Sequence, residues 1–213
     1  MRVVVPFDAA TPKTRLDDVL SVPERHAFSR AMLVDVVDAV AAAGGEPSVV
    51  ATAPLSDPDP ADPVDVDAPV TVDDRPLTAC VNAQIEAGVP VAVVMADLGL
   101  VTPAAVRRLL SAPGDLAIVP GRGGGTNAFS TSHPAFRVDY HDGSYLDHLR
   151  RARSIGASVS EVDSARLSTD VDERADLVEV LLRGEGRAAA WLRDRFELAV
   201  EGGRLGVRRR DAD

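Results

Sequence analysis

Four short apolar runs, "RVVVP", "PSVVATA", "VPVAVVMAD" and "DLAIVPG", alternate along the chain with segments whose apolar residues recur at helical spacing. Runs of this kind have no wet face, so each is expected to be a strand covered on both sides. Buried strands alternating with helices require an α/β fold, a doubly wound and mostly parallel sheet with helices on both faces. Such sheets bind ligands outside the carboxyl ends of their strands. The 213 residues suit one such domain, expected over residues 1–200, with 201–213 as a polar tail.

The helices carry their own start signals. "SVPE" offers Ser21 as N-cap, Pro23 in the first turn and Glu24 three residues after the cap. Phe28, Met32, Val36 and Val40 then repeat at helical spacing until Gly44-Gly45. Thr102 and Pro103 open "TPAAVRRLLSAPG" in the same way. "PLTACVNAQIEAG" and "GSYLDHLRRARSIGA" read as helices, and "DERADLVEVLLRGEGRAAAWLRDRF" as one or two, broken near Gly184 and Gly186. "VTVDD" and "VSEVD" read as short strands and "FRVDY" as a partly exposed one. "SDPDPADPVDVDAP" and "RGGGTNAFS" read as loops.

Composition narrows the partners. The net charge is −10, carried by 24 Asp and 9 Glu against 22 Arg and one Lys. Such an excess repels polyanions, which argues against nucleic acid and anionic membranes as partners. With lysine nearly absent, it also reads as adaptation to high salt. The single Cys80 cannot form an internal disulfide, and no apolar run approaches membrane length. A cytoplasmic location is expected.

Four stretches follow strands or lie near them: "PFDAATPKTRL", "MADLGL", "PGRGGGTNAF" and "LSTDVDERADL". Lys13 and Arg15 in the first combine a point charge with a forked guanidinium, a pair suited to a polyphosphate. A surface pair on a turn is the equal alternative, tilted toward function by the absence of any other lysine. Asp97, at the end of the central strand, is placed to hold Mg²⁺ and bridge phosphate oxygens, or to cap the next loop. Asp170 and Asp172 share one side of an extended segment and could serve the same ion, although Asp172 also fits a helix cap. The glycine-rich stretch lets backbone amides approach an anion but has neither the Walker A nor the Rossmann spacing. Gly143 and Ser144 begin a helix, where free N–H groups favour phosphate or carboxylate. The four histidines lack zinc spacing, and no nucleophile elbow is present.

"VPF…PKTRL" with "ERHAFSRAML", "MADLGL", "GGGTNAF", "YHDGSYLDHLRRA" and "STDVDERADL" together resemble the 2-phospho-L-lactate guanylyltransferases of deazaflavin coenzyme (F-420) biosynthesis, from about Arg2 to Phe196. The resemblance implies a nucleotide-diphospho-sugar transferase-like fold and transfer of guanylate from GTP to a small phosphorylated carboxylic acid. Phosphoenolpyruvate is an alternative acceptor. A related nucleotidyltransferase for another acceptor, such as molybdopterin, and a non-catalytic nucleotide-binding subunit are the other readings. By resemblance Lys13 and Arg15 face the triphosphate, Asp97 holds Mg²⁺ with Asp170 or Asp172 assisting, and Thr126 and Ser144 grip the acceptor. The chain has Leu77-Thr78 where the family commonly has Leu-Asn, which makes Thr78 and Asn82 its candidates beside the nucleotide. His141 stands where the family commonly has glycine and would offer a backbone N–H. A homodimer is the expected assembly.

Overall fold

The computed structural model describes residues 1–55, 65–141 and 143–211. The proline- and aspartate-rich loop expected at 56–69 lies largely outside the described residues.

Seven strands form one twisted sheet: β1 (Arg2–Phe7), β2 (Glu46–Ala51), β3 (Val70–Val72), β4 (Val91–Val94), β5 (Leu116–Pro120), β6 (Thr126–Thr131) and β7 (Val159–Glu161). Their order is β3-β2-β1-β4-β6-β5-β7. Every neighbouring pair is parallel except those involving β6, which runs antiparallel to both β4 and β5. The four apolar runs are β1, β2, β4 and β5, as their composition demands. Val91–Val94 is buried at every residue because helices cover both faces.

α1 (Val22–Ala42), α3 (Pro103–Leu110) and the short α5 (Ala165–Ser168) cover one face; α2 (Leu77–Glu86) and α4 (Ser144–Ser154) cover the other. Glu24 accepts from the Ser21 N–H at 2.9 Å at the start of α1, and Thr102 accepts from the Ala105 N–H at 3.3 Å at the start of α3. Both caps are those the sequence announces. α1 is buried on two sides. Leu33, Val36, Val37 and Val40 meet the sheet, whereas Phe28 and Met32 pack toward α6 (Arg174–Arg183) and α7 (Arg187–Arg195). The Phe28 and Trp191 rings lie 5.3 Å apart.

Three expectations change. "TNAFST" is not loop but the buried strand β6. Its polar character hid it, because periodicity finds strands by their apolar residues. "FRVDY" alternates correctly, with Phe136 and Val138 buried, yet it forms no strand. Its hydrogen bonds come from helix side chains: Asn82 donates to the Val138 carbonyl at 3.0 Å and accepts its N–H at 2.9 Å, and Thr78 accepts the Tyr140 N–H at 2.9 Å. The third concerns the tail expected at 201–213. Residues 196–209 form an antiparallel hairpin, β8 (Phe196–Glu201) with β9 (Arg204–Arg209). Val207 is buried against the α1/α6/α7 cluster, and Arg209 donates to Glu24 at 2.8 Å.

Candidate active site

Because β1, β2, β3 and β4 are parallel, their following loops meet at one edge of the sheet, where they enclose a cleft of about 440 Å³. Lys13 stands in it. Its backbone is left-handed (φ 52°), the one positive-φ residue other than glycine among those described, and it leads into a 3₁₀ turn over Thr14–Leu16. A non-glycine residue in this region is uncommon and costs energy that surrounding contacts must supply. Those contacts are ionic: Lys13 Nζ lies 2.7 Å from Asp97 Oδ2 and 2.8 Å from Asp172 Oδ1, with its side chain 8% exposed.

The charges in this cluster determine one another. Burial pushes the Lys13 ammonium down, but Asp97 and Asp172 outweigh it and hold its pKa above the ordinary lysine value. Burial likewise pushes the Asp172 carboxyl up, and Lys13, with a smaller contribution from Arg15, brings it below the usual range. Asp170, close by, is pushed up by burial in spite of a hydrogen bond from Asn127 at 3.1 Å, and the neighbouring Asp97 adds to the rise. The segment 169–173 is tied to the central strand's loop by the Val171 N–H, which donates to the Asp97 carbonyl at 3.1 Å. Asp170 and Asp172 therefore come beside Asp97, as the alternation of an extended segment allows. The helix cap considered for Asp172 falls instead to Glu173, the N-cap of α6.

Arg15 is a looser member, 66% exposed and 3.6 Å from Asp172. Asp97 Oδ1 is buried without a hydrogen-bond partner. A hard carboxylate oxygen left free in this way is the kind of donor Mg²⁺ takes, usually with phosphate oxygens completing the shell. Among the described residues, no three His, Cys, Asp or Glu side chains are arranged to hold a metal by themselves.

Thr126 and Ser144 belong to a second cluster. β6 carries one extra residue opposite the Val119–Pro120 step, so Thr126 pairs with Pro120 and Asn127 is the bulged residue. The bulge sends Asn127 to Asp170 and Thr126 to α4, where its hydroxyl lies 2.8 Å from His148 Nδ1. Gly121 makes room for this: a Cβ there would collide with the Asn127 amide oxygen. His148 Nε2 accepts the Asp139 N–H at 2.8 Å, so that nitrogen carries no proton in the neutral ring. The proton then sits on Nδ1 and is donated to Thr126, whose own hydroxyl proton remains available. Ser144 Oγ is buried without a partner at the start of α4, beside the Gly124 carbonyl that accepts the Tyr145 N–H.

Burial drives the His148 pKa down to about 4. Above pH 6.5 the ring is neutral in both the folded and the unfolded chain, and the contribution is complete. Between pH 6.5 and 4 the unfolded chain binds a proton that the folded one refuses, so stability falls as pH falls, by roughly 3 kcal/mol in all. Urea unfolding across this window should show that loss, and His148→Gln should show less of it. A variant with the same pH slope would remove His148 as its source.

Two residues expected beside the nucleotide are engaged elsewhere. Asn82 spends both amide atoms on Val138, and Thr78 caps Tyr140. Neither lines the cleft, whereas their helix neighbours Leu77 and Cys80 do. His141 lies 2.8 Å from Asp147, and its carbonyl accepts the Ser144 N–H. Sequence reading missed Asp73, Arg75 and Thr52, which also line the cleft. The signal for Asp73 and Arg75 was present in "VDDRP", a polar turn directly after a strand, and Thr52 directly follows the apolar run of β2.

Residues 1–210 match the model of the family described as guanylyl transferase CofC like. The chain belongs to that family. It is 58% identical to a 2-phospho-L-lactate guanylyltransferase of Halomicrobium mukohataei, the alignment covering 98% of this chain and all of that one. The corresponding enzyme of Halorubrum lacusprofundi is 54% identical over 98% of this chain and all of its own. Among solved structures, the CofC-like chain is similar in fold to a nucleotide-diphospho-sugar transferase from Desulfovibrio desulfuricans G20, with a TM-score of 0.66 over 91% of this chain and 94% of that one at 16% identity. A nucleotidyl transferase from Methanothermobacter has a TM-score of 0.53 over 90% of this chain and 98% of its own, at 17% identity. These likenesses agree with the mixed, mostly parallel sheet. Among the described residues no helix is long and apolar enough to cross a membrane.

Proposed function

We propose that the chain transfers guanylate from GTP to 2-phospho-L-lactate, giving lactyl-2-diphospho-5′-guanosine and pyrophosphate. The observation that carries this reading is the Lys13–Asp97–Asp172 cluster at the carboxyl ends of the parallel strands, in a chain alignable end to end with enzymes named for that reaction. An oxygen of the acceptor's phosphate attacks the α-phosphorus of GTP, and the bond to the β-phosphate breaks to release pyrophosphate. That nucleophile is ionised at working pH, so no serine, cysteine or general base is required. The difficulty is bringing two anions together, which positioning and charge neutralisation overcome.

Lys13 and Arg15 supply positive charge for the triphosphate. Mg²⁺ would be held through Asp97, with Asp170 and Asp172 beside it, and would neutralise phosphate charge. Thr126, with its hydroxyl proton unspent, and Ser144, with an unpartnered hydroxyl, are suited to the acceptor's phosphate or carboxylate. The single buried Cys80 accords with work in a reducing cytoplasm, and a homodimer remains the expected assembly.

Pyrophosphate release with GTP, measured for 2-phospho-L-lactate, phosphoenolpyruvate and a molybdopterin acceptor in turn, tests the reading. Turnover should be fastest with phospholactate. Preference for another acceptor would reassign the substrate, and GTP binding without turnover would make this a binding subunit. Thr126→Ala and Ser144→Ala should each raise the KM for the acceptor about tenfold or more, the loss of one hydrogen bond to a charged group. The KM for GTP should change little. A rise confined to GTP would move both residues to the nucleotide side.

A further inference from the structure

The cleft has two chemically different ends. Lys13, Arg15, Asp97 and Asp172 make one of them ionic. The other is formed by the turn after β3 and the first turn of α2, where Val50, Leu77 and Cys80 give apolar walls and Asp73 and Arg75 supply the charged groups. The Asp73 N–H donates to the Ala51 carbonyl, which ties this turn to the end of β2. Pro76 then stops the turn and opens α2.

Arg75 is held rather than free. Its Nε donates to Asp73 Oδ1 at 2.9 Å, its Nη2 to Asp73 Oδ2 at 2.6 Å, and its backbone N–H to Asp73 Oδ1 at 3.2 Å. The carboxylate is 13% exposed and the guanidinium side chain 53%. Three of the five guanidinium N–H groups, two on Nη1 and one on Nη2, have no partner among the described residues. One N–H on Nη1 and one on Nη2 point together from the end of a planar fork whose Nε side is fixed by Asp73. Such a pair recognises two adjacent acceptors.

Resting on the reading that the cleft takes GTP, we propose that Arg75 selects the base by donating from Nη1 and Nη2 to O6 and N7 of guanine, with Asp73 as the positioning residue. Guanine presents those two acceptors side by side, whereas adenine has a donor in place of O6 and would meet the guanidinium with an N–H. Asp73 has little capacity left to read guanine itself, because Oδ1 already accepts two bonds and Oδ2 one. Val50, Leu77 and Cys80 provide apolar surface for the flat ring. Thr78 and Asn82, occupied with the 136–140 segment, leave this role open.

The test is a comparison of nucleotides on the intact enzyme. GTP, inosine triphosphate, 7-deazaguanosine triphosphate and ATP are titrated calorimetrically, and kcat/KM is measured for each. Inosine triphosphate keeps O6 and N7 and should bind like GTP. The 7-deaza analogue lacks N7 and should bind about tenfold more weakly. Arg75→Lys keeps the charge but loses the fork, and should lower the GTP-to-ATP preference about 10- to 100-fold, chiefly through KM. Asp73→Asn should lower the same preference by a smaller factor through KM, with kcat for GTP kept; a fall in kcat with the preference intact would leave Asp73 a merely structural role in the turn. Failure of the wild-type enzyme to use GTP would remove the functional reading itself. Use of GTP with unchanged selectivity in Arg75→Lys, or discrimination against inosine triphosphate rather than the 7-deaza analogue, would overturn the assignment to Arg75.

Discussion

Asp97→Asn is expected to reduce turnover by about 10²–10³-fold, the scale for removing one preorganised electrostatic group from a reacting centre. The carboxylate has two tasks. Oδ2 holds the Lys13 ammonium at 2.7 Å, and Oδ1, buried and unpartnered, is the free hard donor beside it. Asparagine keeps the volume and one carbonyl oxygen but loses the charge that both Lys13 and a divalent cation require. The loss should therefore appear in kcat and persist at saturating Mg²⁺. Pyrophosphate release over a Mg²⁺ titration measures it, and circular dichroism verifies that the sheet is intact. Near-normal turnover at high Mg²⁺ would take Asp97 out of the reaction.

Lys13→Met should have the second large effect, on both activity and stability. Without the ammonium, Asp97 and Asp172 face one another across a partly buried cleft with no counter-charge. Breaking a buried pair by removing one partner costs on the order of 3 kcal/mol. The pH dependence identifies the source. Asp172 is held below its ordinary pKa, so its share of the stability is present above the unfolded carboxylate value and disappears as pH falls through the folded one. Lys13 is held above its ordinary value, so its share is present below pH 10.5 and lost as pH rises through the folded pKa. The difference between wild type and variant should be constant across neutral pH and shrink toward both extremes.

Lys13→Arg separates charge from shape. Arginine predominates on the surface, yet at this position a compact ammonium lies between two carboxylates at 2.7 and 2.8 Å with a side chain 8% exposed. The longer planar fork does not fit that geometry, so it should recover only part of kcat/KM for GTP. Wild-type kinetics in both Lys13 variants would show that the lone lysine carries no catalytic role.

Local residue patterns were enough to locate the strands β1, β2, β4 and β5, the caps at Ser21 and Thr102, and the loops that hold Lys13, Arg15 and Asp97. Each is a local fact: a short apolar run, a capping residue, a strand end. The sequence also singled out Asp170 and Asp172, because alternation along an extended segment is a two-residue property. What it could not determine was which partners those groups find. β6 is a strand through its ladder to β4 and β5, and its buried Thr126, Asn127, Ser130 and Thr131 give no apolar signal. Asn82 and Thr78 went to residues 136–140 because a backbone segment without a neighbouring strand must satisfy its hydrogen bonds elsewhere. The joining of Lys13 to Asp97 and Asp172, 84 and 159 residues away, required the parallel crossovers to bring their loops to one edge. Electrostatics at contact distance depends on where the chain returns in space, and no periodicity in the sequence records that.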